Sequence, residues 1–267
     1  MKQKIVFGTL IAIVLALIYT PLALVLIYSF STNSVMGGEY NFGFGLFRDL
    51  FAHPDIMPAF WNSIILAIVS AFLATIIGTM ACLTIWKMSA RWRKTTLIMN
   101  NVPLVTADII LAFGLGLGFA TLGLFNRGWF MLIISHTLIA LPIVAIMVLP
   151  KLKSLDPNMF EAGQDLGATP ARAFWGVIVP QLLPVMIIAF LLGFTFSMND
   201  FIITSHTNGA GDVVTLPIII YRTRFHNLAV FRALATIKVG MVTVVLSILF
   251  FLNWRKKKIL DKTANKR

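Results

Sequence analysis

The sequence predicts an all-α polytopic membrane protein with six transmembrane helices and both termini in the cytoplasm. The first observation is composition: 58% of the 267 residues are hydrophobic and 12% are charged. A soluble domain carries about 25% charged and 45–50% apolar residues, so this chain has too little charge to face water on all sides. The second is length: a helix needs roughly 20 apolar residues to cross the hydrocarbon core. Six stretches meet or approach that length, at about 5–30, 61–86, 97–124, 129–150, 182–204 and 231–254. The third is where the basic residues fall. Sixteen lysines and arginines lie at the N-terminus, in 87–94, in 151–172 and in the tail from Arg255. The opposite set is Arg48, Arg127, Arg222, Arg224 and Arg232, with Lys238 inside the sixth stretch. The positive-inside rule then puts both termini in the cytoplasm, and an even span count agrees in placing them on one side.

Along the chain, each element has a local reason. The first stretch follows MKQK and is too long for a signal-peptide core, with no convincing small-residue cleavage site after it, so it reads as a retained span. Glycines at 78, 114, 116 and 118 provide small surfaces for close helix packing. Pro21, Pro103, Pro142 and Pro184 lie in or beside spans and predict bends. The lone Cys82 sits in an apolar run and reads as a small packing residue. The basic tail reads as an anchor to anionic lipid at the inner leaflet. The net charge of +12 raises nucleic acid as a partner. The basic residues are dispersed between apolar runs, as orientation signals are, and nucleic acid is set aside.

The polar stretch 154–184 interrupts this pattern on the cytoplasmic side. Asp156 and Pro157 have the chemistry of an N-cap and a first helical position, and Thr169-Pro170 repeats it. Gly167 suits a left-handed helix end, and Pro180 is expected to stop the second short helix. Met159, Ala162, Gly163 and Leu166 share one face of the first helix; Phe174, Val177 and Ile178 share one face of the second. Such a pair at a membrane surface suits docking to a partner.

No phosphate-binding loop, metal-ligand spacing or nucleophile elbow is present, and the chain is expected to be no enzyme and to bind no metal or cofactor. The histidines 53, 136, 206 and 226 are scattered, and His136 inside the fourth stretch reads as an interhelical hydrogen-bonding group ahead of a proton relay. Asp108 falls about eleven residues into the third stretch, roughly 16 Å deep at helical rise. Asp200 lies near the outer end of the fifth, beside Asn199. A charge at mid-bilayer costs on the order of 3 kcal/mol, so such residues face a cavity or a partner. Two acids along one route suit an extended cation, although Lys238 is placed to neutralise Asp200.

Glu161-Ala162-Gly163, Asp165 and Gly167, followed by Val177-Ile178-Val179-Pro180, match the spacing of the EAA loop. In that loop E-A-A is followed by three residues, glycine, nine residues and I-x-L-P; here Gly163 replaces the second alanine. The loop marks membrane subunits of bacterial importers of the ATP-binding cassette class, and the chain resembles that family. The segments IYSFSTNS (27–34), NSIILAIVSAFLATIIGT (62–79), SHTLIALPIV (135–144), FTFSMNDFIITSHTNG (194–209) and RALATI (232–237) extend the resemblance toward the spermidine/putrescine permease branch. The polyamine relatives typically carry an acid where Asn199 stands.

The resemblance implies a type I importer permease fold, a single permease domain over 1–267, and an ATPase-coupling loop over 154–180. It implies a bacterial inner-membrane location. It implies a second permease subunit, identical or different, two cytoplasmic ATPase subunits that use ATP, and a solute-binding protein outside. Glu161, Ala162, Gly163, Asp165 and Gly167 would then form the coupling loop, and Asp108, Asn199 and Asp200 the substrate path. The alternatives are an importer of another small solute, a secondary transporter driven by an ion gradient, or a scaffold.

Overall fold

In the computed structural model, residues 2–31, 41–124, 128–156, 158–209, 213–223 and 228–264 are described. Among them helix is the only extended secondary structure, with one isolated bridge between Ser31 and Phe42. The chain divides into two compact units. One comprises Met1–Pro58 and Ile219–Ile248, the other Ala59–Ile218 and Leu249–Arg267.

In the first unit, α1 (Lys2–Ser29) is apolar on every side, and its residues from Phe7 to Leu24 are exposed. A helix without a polar face has no stable place in water and matches a lipid environment. After it, α2 (Gly45–Ala52) is amphipathic and buries Leu46 and Leu50. Phe30 at the end of α1 packs against Phe42, Phe44 and Phe47 with ring centroids 5.2–6.3 Å apart.

The second unit is built on α3 (Ile56–Lys87), α6 (Gly128–Lys153) and α9 (Val179–Asn199). Its core joins Ala74 and Cys82 of α3, Val144 and Val148 of α6, and Leu182 and Ala189 of α9. Small residues set the spacing. A Cβ on Gly78 would lie 2.8 Å from Val144 Cγ1, and one on Gly193 would lie 3.5 Å from Ala71 Cβ. Backbones approach closely only where side chains are small, which is the packing that spans use when lipid supplies no hydrophobic drive.

Among the described residues, four helical segments are long and apolar enough to cross a membrane: Phe7–Ser29, Ile56–Lys87, Gly128–Lys153 and Phe174–Asn199. The remaining expected spans take other forms. The stretch 97–124, expected as one span, is two helices, α4 (Ala90–Val105) and α5 (Asp108–Thr121), bent by 105° at their junction. Thr106 and Ala107 both have extended backbone, with ψ of 138° and 134°. The Thr106 hydroxyl turns back onto the Val102 carbonyl at 2.7 Å. Pro103 is absorbed within α4 three residues before this break. The straight-helix depth for Asp108 therefore does not apply: Asp108 is the first residue of α5, at the break. The stretch 231–254 lies within α12 (Leu228–Ala264).

Two further boundaries differ from the sequence expectation. Pro180 does not stop a helix. The chain runs from α8 (Pro170–Ala173) through a π-turn (Phe174–Ile178) straight into α9. In the π-turn Val179 N–H donates five residues back, to Phe174 O. That wider turn admits one extra residue, and Pro180 follows as the second residue of α9 with the helix continuing through it. The stretch 182–204 also ends earlier as a helix, at Asn199. Asp200 is extended (φ −73°, ψ 127°), and α10 (Ile202–Thr207) begins beyond it.

Candidate coupling loop and acidic cavity

The loop has the predicted helix–turn–helix form. The Asp156 carboxylate accepts from Asn158 N–H at 2.9 Å, so it caps α7 (Asn158–Asp165). At the far end Gly167 has φ +83°. Its N–H donates to Gln164 O at 2.8 Å, and Ala168 N–H donates to Gly163 O at 3.3 Å. This pair of bonds is a Schellman stop, and it needs a residue free to adopt positive φ. Thr169 Oγ1 then accepts from Arg172 N–H at 3.3 Å and caps α8.

Gly163 lies where the two helices meet, and a Cβ there would stand 3.3 Å from Ala173 Cβ. This explains why a still smaller residue serves at the second alanine of the motif. Ala162, Asp165 and Gly167 are exposed, as are Leu166 at 90% and Trp175 at 68%. Glu161 lies on α7, and its side chain is outside the described residues. The elbow thus leaves an apolar pair, Leu166 and Trp175, uncovered at its surface.

The second feature is a cavity of about 290 Å³ whose wall contains Asp108, Asn199 and Asp200, with Pro103, Leu104 and Phe196 among its apolar residues. The three path candidates, drawn from two distant parts of the sequence, converge on this cavity because the α4–α5 bend brings Asp108 to the end of α9. Asp108 and Asn199 are exposed, and the Asp200 side chain is 11% exposed. Asp200 is also a structural cap: Oδ1 accepts from Ile203 N–H at 3.2 Å and Oδ2 from Thr204 N–H at 2.8 Å.

Behind the cavity wall lies a network that the sequence did not reveal. His136 on α6 is buried, with Nε2 3.0 Å from Thr204 Oγ1 and 3.6 Å from Asp200 Oδ2. Its Nδ1 is 2.7 Å from Ser197 Oγ, and Ser197 in turn meets Ser70 of α3 at 3.3 Å. The partner on the Nε2 side suits a proton there. Thr204 O–H donates to Asp200 Oδ2 at 2.9 Å, so Thr204 Oγ1 receives its hydrogen bond from Nε2–H. A neutral ring protonated there accepts at Nδ1 from Ser197 O–H, with Oγ 2.7 Å away. The pattern is that of a neutral imidazole with its proton on Nε2. His136 is thus the interhelical bonder expected of it, between α6, α9 and α10. Only a histidine flanked by serine and threonine in the apolar run 129–150 hinted at its partners. Of the glycines expected to allow close packing in 97–124, Gly116 does so, since a Cβ there would lie 2.9 Å from the His206 carbonyl oxygen, whereas Gly114 and Gly118 have open space.

Helices long and apolar enough to span a membrane, a helix–glycine–helix elbow and a largely apolar cavity holding two carboxylates define a polytopic membrane protein. Residues 4–257 match the family described as binding-protein-dependent transport system inner membrane component, and the chain belongs to that family. It is a multi-pass inner-membrane permease subunit of an ATP-binding cassette importer.

It is 30% identical to the putrescine transport system permease protein PotI of Escherichia coli K12, over 90% of this chain and 88% of the relative. It is also 30% identical to the spermidine/putrescine transport system permease protein PotC homolog of Mycoplasma pneumoniae, over 95% and 93%. With PotC of Escherichia coli K12 the identity is 28% over 83% of both chains. Among solved structures it resembles a chain of the bacterial ABC transporter that imports the acidic polysaccharide alginate, at TM-score 0.65 and 17% identity, over 97% and 96%. It resembles a chain of the inward-facing MetNI methionine ABC transporter at TM-score 0.59 and 20% identity, over 78% and 99%. At those identities the likeness establishes the fold.

Proposed function

We propose that this chain is one of two membrane subunits of an ATP-driven polyamine importer, with spermidine and putrescine as the solute class. The observation that carries the reading is the convergence of Asp108, Asn199 and Asp200 on one cavity otherwise largely apolar. Separated carboxylates along an apolar wall suit an extended chain with amines spaced by methylenes. Each ammonium–carboxylate contact is charge-assisted and stronger than a neutral hydrogen bond. The names of the most similar permeases point to the same solutes.

In this reading six spans place both termini and the 154–180 loop in the cytoplasm. An ATPase subunit grips the elbow through Glu161, Ala162, Asp165 and the apolar Leu166, while Gly163 and Gly167 hold its shape. Two such ATPases hydrolyse ATP, and the chain itself is non-catalytic and binds no cofactor. A solute-binding protein delivers the polyamine from outside. A second permease subunit, identical or different, completes the path, because Asp108 and Asn199 are exposed on this one.

The test is ATP-dependent uptake by the complete importer in proteoliposomes. Spermidine should enter only with ATP inside and the binding protein outside. Asp108→Asn should raise KM for spermidine about tenfold, the loss of one charged contact of 1.5–3 kcal/mol at its lower end. Uptake that follows a proton gradient and survives replacement of the loop would establish a secondary transporter instead. An unchanged KM in Asp108→Asn would remove that residue from the path.

A further inference from the structure

We propose that His136 is a positioning residue for the solute path: from behind the cavity wall it orients the Asp200 carboxylate so that one oxygen is kept for a cationic solute. This inference rests on the cationic-solute reading above.

A carboxylate offers about four acceptor positions. In Asp200 the two oxygens are used unequally. Oδ2 takes Thr204 N–H and Thr204 O–H, and faces His136 Nε2. Oδ1 takes one backbone N–H, from Ile203. The spare capacity is thus on Oδ1, and Asp200 lines the cavity. What makes the arrangement one-sided is the Thr204 hydroxyl. It has two acceptors within reach, Asp200 Oδ2 at 2.9 Å and the Asp200 backbone carbonyl at 3.3 Å. The His136 Nε2–H approaches the same oxygen at 3.0 Å and occupies one of its lone pairs, which holds the hydroxyl in the geometry that serves Oδ2. Ser197 O–H on Nδ1 holds the ring in that tautomer, and as a neutral group it leaves the negative charge of Asp200 intact for the cavity. A cation at position 136 would cancel it.

Two near-isosteric variants separate positioning from folding. His136→Gln keeps an N–H donor where Nε2 stands, whereas His136→Asn reaches only the Ser197 side. The complete importer carrying each variant is reconstituted, and KM and Vmax for spermidine are read beside the melting temperature of the purified assembly. The expected result for His136→Asn is a KM raised about tenfold with Vmax within about twofold, the effect of loosening one charge-assisted contact. His136→Gln should lie close to wild type. Thr204→Val, which removes the intervening hydroxyl, should raise KM in the same direction. Equal KM in the Gln and Asn variants overturns the proposal. So does a loss confined to Vmax, melting temperature or assembly in both. A wild-type importer that carries no spermidine overturns the polyamine reading and this inference with it. Wild-type uptake with an unchanged KM in His136→Asn and Thr204→Val overturns this inference alone.

Discussion

Substitution of Gly167 isolates the backbone of the coupling elbow from everything else. Its φ is +83°, and no atom lies within 4 Å of the position a Cβ would take. A side chain here meets no neighbour, so the whole cost is conformational. For an ordinary L-residue the left-handed region costs roughly 1–2 kcal/mol; asparagine adopts it more readily, and valine, being β-branched, least readily. At 1.4 kcal/mol per tenfold, Gly167→Ala should reduce the fraction of correctly turned elbows relative to open ones about 5- to 30-fold. Both Schellman bonds, from Gly167 to Gln164 and from Ala168 to Gly163, are lost together when the turn opens. The helix they terminate, α7, has eight residues and little stability of its own. Retention of the ATPase subunit during purification, together with ATP-driven uptake, should therefore fall in the order Gly, Asn, Ala, Val. Membrane insertion should be unchanged throughout. If Asn behaves as badly as Val, or if Val behaves as Gly, the argument from φ is wrong.

Other substitutions probe single contacts. Gly116→Ala places a Cβ 2.9 Å from a backbone oxygen, that of His206, which cannot rotate aside. It should lower the melting temperature in detergent, at a cost of about 1–3 kcal/mol. Asp156→Ala removes the α7 cap at about 1 kcal/mol and should speed tryptic cleavage at Lys153, with Asp156→Asn close to wild type. Asp200→Asn removes the charge and keeps one of the two accepting oxygens of the α10 cap, so spermidine KM should rise with a smaller fall in melting temperature than a full loss of the cap gives. Asp200→Ala should lower both affinity and melting temperature, because Ile203 and Thr204 N–H then lose their acceptor.

The sequence carried the local features well. Asp156, Gly167 and Thr169 act through neighbours within a few residues, and their chemistry is visible in any window that contains them. The helical class was equally plain, because apolar length decides it. What escaped was tertiary. The break at Thr106–Ala107 has no glycine or proline at it, and the nearby Pro103 sits inside α4 without ending it. Conversely Pro180 looked like a stop and is not one, because the π-turn before it takes up the strain. The convergence of Asp108 with Asn199 and Asp200 depends on that bend and could be guessed only as a shared path. The His136 network joins residues 61 to 68 positions apart in the chain, a distance at which no local pattern operates.

The π-turn also makes the elbow and the cavity two ends of one object. From Pro170 to Asn199 the chain is a single uninterrupted helical rod, roughly 45 Å long at 1.5 Å per residue. Its foot is the half of the elbow that carries Trp175, and its head is Asn199, with Asp200 as the cap beyond. Foot and head are joined by continuous helix, with Pro180 and Pro184 inside it. The angular setting of the head depends on the extra residue stored in Phe174–Ile178. Removing one residue there would rotate the head by about 100° against the foot. A one-residue deletion should therefore uncouple ATP hydrolysis from uptake while leaving the ATPase bound. A deletion that transports normally would mean that the rod yields along its length.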